Sequence, residues 1–90
     1  MARRVLDPEA IREFARTLRE FCNDTQQNLD RVQGRLDDVG RSDWVDSTQR
    51  VFQEEFESSA DGLRRILSQF DHEMSSRLEQ LANQAEEIEY

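Results

Sequence analysis

Two side chains in this sequence, His72 and Cys22, are of types that could carry out metal or nucleophilic chemistry. Dinuclear carboxylate sites in helical bundles use Glu-x-x-His, but the residue three positions before His72 is Gln69. A cysteine nucleophile needs a neighbouring base, and the sequence offers no obvious one for Cys22. We therefore expect no catalytic residue, no metal site and no cofactor, and predict that the chain is not an enzyme.

Both residues have simpler interpretations. His72 lies between Asp71 and Glu73 and is expected on a solvated helix face. Cys22 follows Phe21 along an apolar stripe and is expected to be a small core residue. Because it is the only cysteine, it cannot form an intramolecular disulfide, and the sequence does not indicate an oxidising compartment.

The composition is polar and acidic. Hydrophobic residues make up 36% of the chain, charged residues another 36%, and the net charge is -8. Such a chain repels phosphate backbones and anionic lipid surfaces, so neither nucleic acid nor membrane is expected as a partner. Residues 46–90 carry four Arg against eleven acidic residues, which favours a more basic protein partner.

The apolar residues occur singly or in pairs between charges. This pattern excludes a transmembrane helix and the apolar region of a signal peptide. We therefore expect a cytoplasmic protein without a general secretory signal, and any export would need a different route.

Apolar residues of the first half recur every three or four positions, the period of an amphipathic helix. Asp7 and Pro8 provide a capping side chain and a residue suited to the first helical position. Gly40 is of the type that most often follows a helix end. The predicted first helix covers residues 8–39, and its stripe contains Ile11, Phe14, Leu18, Phe21, Leu29, Val32, Leu36 and Val39.

A turn over residues 40–43 is predicted to follow, with Ser42 or Asp43 as the cap of the next helix. The second helix is predicted over residues 44–90, because the same spacing continues to the last residues without a Pro. Its stripe contains Phe52, Phe56, Ala60, Leu63, Leu67, Phe70, Met74, Leu78, Leu81, Ala85 and Ile88.

Two long helices joined by a short turn fold back on each other, so residues 1–90 are predicted to form one all-α domain, an antiparallel two-helix hairpin. Trp44 is expected to close the turn end of its core, and the alternative is that it anchors a partner. Counting outward from the turn predicts layers that pair Val32 with Phe52, Leu29 with Phe56, Thr25 with Ala60, Leu18 with Leu67, Phe14 with Phe70 and Ile11 with Met74.

The stretch WVDSTQRVF contains Trp44 and, eight residues later, Phe52. It resembles the Trp-x-Gly motif and downstream Phe of the WxG proteins, small early-secreted-antigen-like substrates and partners of type VII secretion systems. The resemblance extends to the chain length, the two helices and the turn between them. Asp46 stands in place of the motif glycine and suits a helix N-terminus. The turn motif is thus assigned to Gly40, Trp44, Asp46 and Phe52.

This resemblance implies a non-enzymatic interaction module that accompanies a larger secreted effector or engages a secretion ATPase. The family's secretion signal is a Tyr followed four residues later by an acid. The only tyrosine here is Tyr90, so we expect that such a signal is absent or comes from a partner. The alternative function is an intracellular adaptor or scaffold hairpin that is not secreted.

The helix lengths also predict a partner. The second helix is the longer, so residues 76–90 are expected to extend beyond the first. A homodimer, or a heterodimer with a related and more basic hairpin, would cover the apolar residues left over and complete a four-helix bundle. The predicted partner interface contains Phe21, Cys22, Ile66, Leu78, Leu81, Ala82, Ala85 and Ile88.

Overall fold

The computed structural model describes residues 7–88, with side chains for residues 7–87. This part of the chain forms two α-helices, α1 over Pro8–Ser42 and α2 over Ser47–Ile88. The predicted all-α helical hairpin is confirmed. The predicted continuation of the second helix through residues 89–90, including Tyr90, lies outside the described residues.

The chain divides into two compact units. The turn unit is Asn23–Leu67. The terminal unit combines Met1–Cys22 with Ser68–Tyr90, of which residues 7–22 and 68–88 are described. Hydrogen bonds join α1 to α2 in antiparallel order within each unit, as between Asp37 and Gln53 in the turn unit.

Helix α1 begins as the sequence predicts. The Asp7 carboxylate accepts hydrogen bonds from the backbone N–H of Glu9 at 3.0 Å and of Ala10 at 3.5 Å. Pro8 occupies the first helical position, where no N–H is required. Asp7 therefore satisfies amide groups that have no partner inside the helix.

The end of α1 differs from the prediction. Gly40 does not terminate the helix, which continues to Ser42. No described glycine has a positive φ, so Gly40 lies in ordinary helical backbone. The Val39 carbonyl then accepts hydrogen bonds from the N–H of Asp43 at 2.9 Å and of Trp44 at 2.8 Å, which close the turn.

Helix α2 is capped by Asp46, and the prediction of Ser42 or Asp43 as its cap was wrong. The Asp46 carboxylate accepts a 2.8 Å hydrogen bond from the N–H of Gln49. Because α1 extends to Ser42 and Asp43 lies in the turn, the first residue able to cap α2 comes three positions later. The turn is therefore displaced from residues 40–43 toward Asp46.

Replacing Asp46 with Ala should lower the free energy of unfolding by about 1 kcal/mol, because the Gln49 N–H loses its acceptor. Asp46→Asn should retain most of the stability, since its amide oxygen can also accept this bond. Asp43→Ala is the control for loss of a charge in the same turn. Urea unfolding of the four proteins compares them, and equal losses for Asp43→Ala and Asp46→Ala would contradict the assignment.

We define the seam as the line of buried and half-buried residues between α1 and α2 in each unit, and most of its fully buried side chains are small. Cys22, Ala82 and Ala85 are buried in the terminal unit. In the turn unit the buried residues are Gln49, Ala60 and Leu67. Short side chains let two helix backbones approach closely where they meet.

The predicted apolar layers are wrong in register. They place Gln53 opposite Arg31, whereas its amide donates a hydrogen bond to Asp37, six residues nearer the turn. The displaced turn explains this shift. The predicted layers were counted outward from residues 40–43, whereas the turn lies nearer Asp46. As a result, both members of two predicted layers are exposed, Phe14 with Phe70 and Val32 with Phe52.

The predicted overhang of residues 76–90 is also wrong for the part that is described. Arg12 donates hydrogen bonds to Asn83 at 3.2 Å and to Glu86 at 2.7 Å, and Ala82 is completely buried. The hydrogen bond from Arg12 lowers the pKa of the Glu86 carboxyl. The C-terminal part of α2 therefore packs beside the start of α1. In the observed register each α2 residue lies opposite an α1 residue that is nearer the turn than the predicted one.

Candidate functional site

Large apolar side chains are exposed along both helices. Phe14 and Phe21 are each 56% exposed, and Ile66 is 62% exposed. Nine such residues, which we call the flank set, share one feature: each directly precedes a buried or half-buried seam residue. The flank set is Phe14, Phe21, Val32, Val39, Phe52, Leu63, Ile66, Phe70 and Leu81.

Within each unit, the flank set lies on one side of the helix pair. A residue just before a seam residue is turned by about 100° from the seam in the same sense on either helix. Two antiparallel helices that face each other are related by a local twofold axis, so equal offsets point to the same side. In the terminal unit, for example, Phe21 precedes Cys22 and Leu81 precedes Ala82. Each unit therefore presents its members of the flank set on a single side.

Three aromatic rings line the start of α2 in the turn unit. The ring of half-buried Trp44 lies 6.0 Å from that of Phe52, centre to centre, with an angle of 32° between the planes. The ring of Phe52 lies 6.3 Å from that of Phe56. These separations are typical of favourable tilted aromatic pairs. Trp44 thus packs from the turn onto the first aromatic ring of α2 and leaves part of its own ring accessible.

Replacing Trp44 with Ala should lower the free energy of unfolding by about 1.5 kcal/mol, because a half-buried ring and one aromatic pair are lost. Trp44→Phe keeps a ring against Phe52 and should recover most of the loss. Chemical denaturation monitored by circular dichroism measures both variants. If Trp44→Ala unfolds at the wild-type midpoint, the ring does not stabilise the turn.

Polar side chains of α1 and α2 form a hydrogen-bond network next to the turn. Gln49, only 4% exposed, donates to the Gln53 side-chain oxygen at 2.5 Å. The Gln53 amide donates in turn to Asp37 at 2.5 Å and to Glu57 at 3.1 Å.

Gly40 allows this network to form, because a Cβ there would lie 3.0 Å from Gln49 Cδ and 3.2 Å from Gln53 Oε1. The sequence interpretation missed this arrangement. Its only signal was a pair of glutamines one turn apart on the helix that follows Gly40.

The structure divides the predicted partner interface. Phe21, Ile66 and Leu81 are exposed, and Leu78 is half-buried. Three other residues are buried inside the terminal unit and offer no surface to a partner: Cys22, Ala82 and Ala85. The apolar stripes predicted from the sequence contain residues of both the seam and the flank set. The spacing of three or four positions alone could not separate the two. The side chain of Ile88 lies outside the described residues.

The two residues first considered for chemistry lie where the sequence placed them. His72 is exposed. Cys22 is buried, and this burial together with the nearby Asp71 charge raises the pKa of its thiol. His72 shares a polar groove with Asp71 and Ser75, but the Ser75 hydroxyl donates to Asp71. Among residues 7–87, no three side chains of metal-binding type lie close enough to hold an ion.

Neither α1 nor α2 contains a segment of the length and apolarity that a membrane crossing needs, over the part of the chain that the structure describes.

Comparison with known proteins identifies the family. Residues 6–89 match the WXG100 family model, described as proteins of 100 residues with WXG. No significant match was found among curated proteins or among solved structures. Members of this family are small, non-enzymatic helical proteins associated with type VII secretion, and they generally form helical-hairpin dimers. The match covers nearly the whole chain, Trp44 and Phe52 included, and the chain therefore belongs to the WXG100 family.

Proposed function

We propose that the chain is a non-enzymatic interaction module of type VII secretion, which works as a dimer of hairpins and travels with or escorts a larger effector. The flank set is the observation that carries this proposal. Large apolar residues such as Phe14 and Phe70 are exposed, while three alanines are among the buried seam residues. A surface of this kind marks a protein interaction site.

The turn offers a second contact region. Trp44 is half-buried and Val45 is 64% exposed, so apolar surface is accessible where the two helices join. Aromatic rings held by neighbouring rings lose little conformational freedom on binding. We therefore assign the turn as the place where a secretion ATPase or an effector would be engaged.

An export assay tests the secretory role. The epitope-tagged chain is expressed in a bacterium with a type VII system and in the same strain lacking the secretion ATPase. We expect the chain in the medium of the first strain only, with a cytosolic enzyme as the control for lysis. Retention in both strains would overturn export and favour the alternative, an intracellular adaptor hairpin that uses the same apolar surface.

The dimer can be tested apart from export. Leu63→Asp places a charge in the flank set without touching the seam, because Leu63 is 42% exposed. We expect this variant to remain helical and to lose association, measured by light scattering alone and with a co-expressed, related hairpin. Arg65→Asp, two residues further along the helix, is the control for an added acid. A wild-type chain that stays monomeric under both conditions would contradict the proposed function.

A further inference from the structure

A polar groove of about 170 Å³ lies on the terminal unit, on the side opposite its members of the flank set. A residue just after a seam residue is turned by about 100° from the seam, in the opposite sense to a residue just before it. Arg16 follows half-buried Ala15 in this way, and Glu79 follows half-buried Leu78. We call this surface the arginine groove and define it by Arg12, Ala15, Arg16, Arg19, Leu78 and Glu79.

One end of the arginine groove already holds a carboxylate. Arg12 donates hydrogen bonds to Glu86 at 2.7 Å and to Asn83 at 3.2 Å. An arginine on this edge of α1 can therefore bind an acid that lies across the groove. The next two arginines of the row, Arg16 and Arg19, are exposed, and their guanidinium groups have neither an ion pair nor a hydrogen bond among residues 7–87.

Helix α2 supplies too few acids for the rest of this row. Counting from the pair of Arg12 and Asn83 in antiparallel order places Glu79 opposite Arg16 and a serine, Ser76, opposite Arg19. Among the described residues that line the groove, Glu79 is the one acid, and it forms an ion pair with neither arginine. The arginine groove therefore keeps an unmatched positive charge on a chain whose net charge is -8.

The geometry of the groove fits a helix that carries acidic side chains. Arg16 and Arg19 are three residues apart, which is about 4.5 Å along the helix axis. Acids three or four residues apart on a partner helix have a matching separation, and each carboxylate can accept two hydrogen bonds from one guanidinium. Half-buried Ala15 and Leu78 add apolar surface to the groove, which suits a side chain between the two acids and gives nothing to an inorganic anion.

We propose that the arginine groove binds an acidic helical segment of a partner protein, with Arg16 and Arg19 each pairing with one carboxylate. This contact goes beyond the proposed function and does not depend on it, because the groove and the flank set lie on opposite sides of the terminal unit. Glu79 opposes the contact, since its charge repels the incoming acids. The chain as a whole also repels acids, so the attraction comes from the local arginines.

Fluorescence anisotropy with a labelled helical peptide tests the proposal. The peptide carries two Glu three residues apart with a Leu between them, and a matched peptide has Gln in place of both Glu. We expect the full chain to bind the acidic peptide and not the matched one. Binding should weaken as salt is added, because exposed charges are screened. No binding of the acidic peptide, or equal binding of the two peptides, would overturn the proposal.

Substitutions in the groove locate the binding site. Arg16→Gln and Arg19→Gln should each weaken peptide binding about fivefold, because each removes one exposed ion pair. Glu79→Gln should strengthen it about threefold, because the repelling carboxylate is gone. Arg77→Gln is the matched control, since Arg77 is exposed but directly precedes Leu78 and so lies on the flank side. An equal loss of affinity in Arg77→Gln and Arg16→Gln would show attraction to charge in general and would overturn the groove as the site.

Two further measurements identify the occupant and separate this contact from the dimer. Inorganic phosphate should displace the peptide no better than chloride at the same ionic strength, and stronger displacement by phosphate would overturn a helical segment as the occupant. Arg16→Gln should keep the helical circular dichroism signal and the association state of the wild type, measured by light scattering. Loss of association together with peptide binding would overturn the assignment of the groove as a separate surface.

Discussion

Replacing Leu67 with Ala should lower the free energy of unfolding by about 3 kcal/mol. Leu67 is 8% exposed and is the only large aliphatic side chain among the buried seam residues that the structure describes. Removing three of its carbons deletes apolar contact and leaves a cavity that a seam of short side chains cannot refill. Urea unfolding, followed by the helical circular dichroism signal at one fixed protein concentration, measures the loss.

The neighbouring residue provides the control. Ile66 is 62% exposed, so Ile66→Ala should cost less than about 1 kcal/mol within the hairpin. The two variants should therefore differ in kind: Leu67→Ala lowers stability, and Ile66→Ala weakens association. Equal losses of stability would mean that the seam and the flank set are not distinct surfaces.

Replacing Gly40 with Leu should destabilise the hairpin by about 2 to 3 kcal/mol, although leucine is the better helix former. The new side chain would occupy the space of the Gln49 amide, which is held by its hydrogen bond to Gln53. Displacing that amide leaves buried polar groups without their partners. Thermal unfolding in the same buffer as the wild type should show the loss directly.

The Gly40 effect can be assigned to its cause by adding Gln49→Ala. This second change removes the colliding amide, so the double variant should be more stable than Gly40→Leu alone. Gly34→Leu is the matched control, because a Cβ on Gly34 would meet nothing within 4 Å. A Gly34→Leu variant as unstable as Gly40→Leu would show that helix-interior glycine, and not close approach, is the source of the loss.

The helical hairpin was predictable because its signals are local. Asp7 and Pro8 specify the start of α1, and the spacing of apolar residues indicates two long helices. The family was also predictable, because Trp44 and Phe52 stand eight residues apart as in its motif. These features depend on a few adjacent residues, which the sequence displays.

The register was not predictable, because it depends on where one helix ends. Gly40 is typical of a helix terminus, yet here it is a helix-interior residue that makes room for Gln49. Ser42, Asp43 and Asp46 can all cap a helix, and only the end of α1 selects among them. An error of a few residues at the turn then shifts every pairing along α2.

The distinction between seam and flank was hidden for a different reason. The stripe on α1 is wide, with Phe21 on one edge and Cys22 on the other, and hydrophobicity favours the larger residue for the core. The structure buries the smaller one, because short side chains allow the close approach of two helices that larger ones prevent.

The small size of most fully buried side chains also affects how the protein should respond to heat. Alanines such as Ala82 and Ala85 remove little apolar area from water, so a single hairpin would unfold with a small change in heat capacity. Most of the apolar surface would be covered only when chains associate, and melting then includes dissociation. If the hairpins associate as proposed, the midpoint of such a transition should rise with total chain concentration.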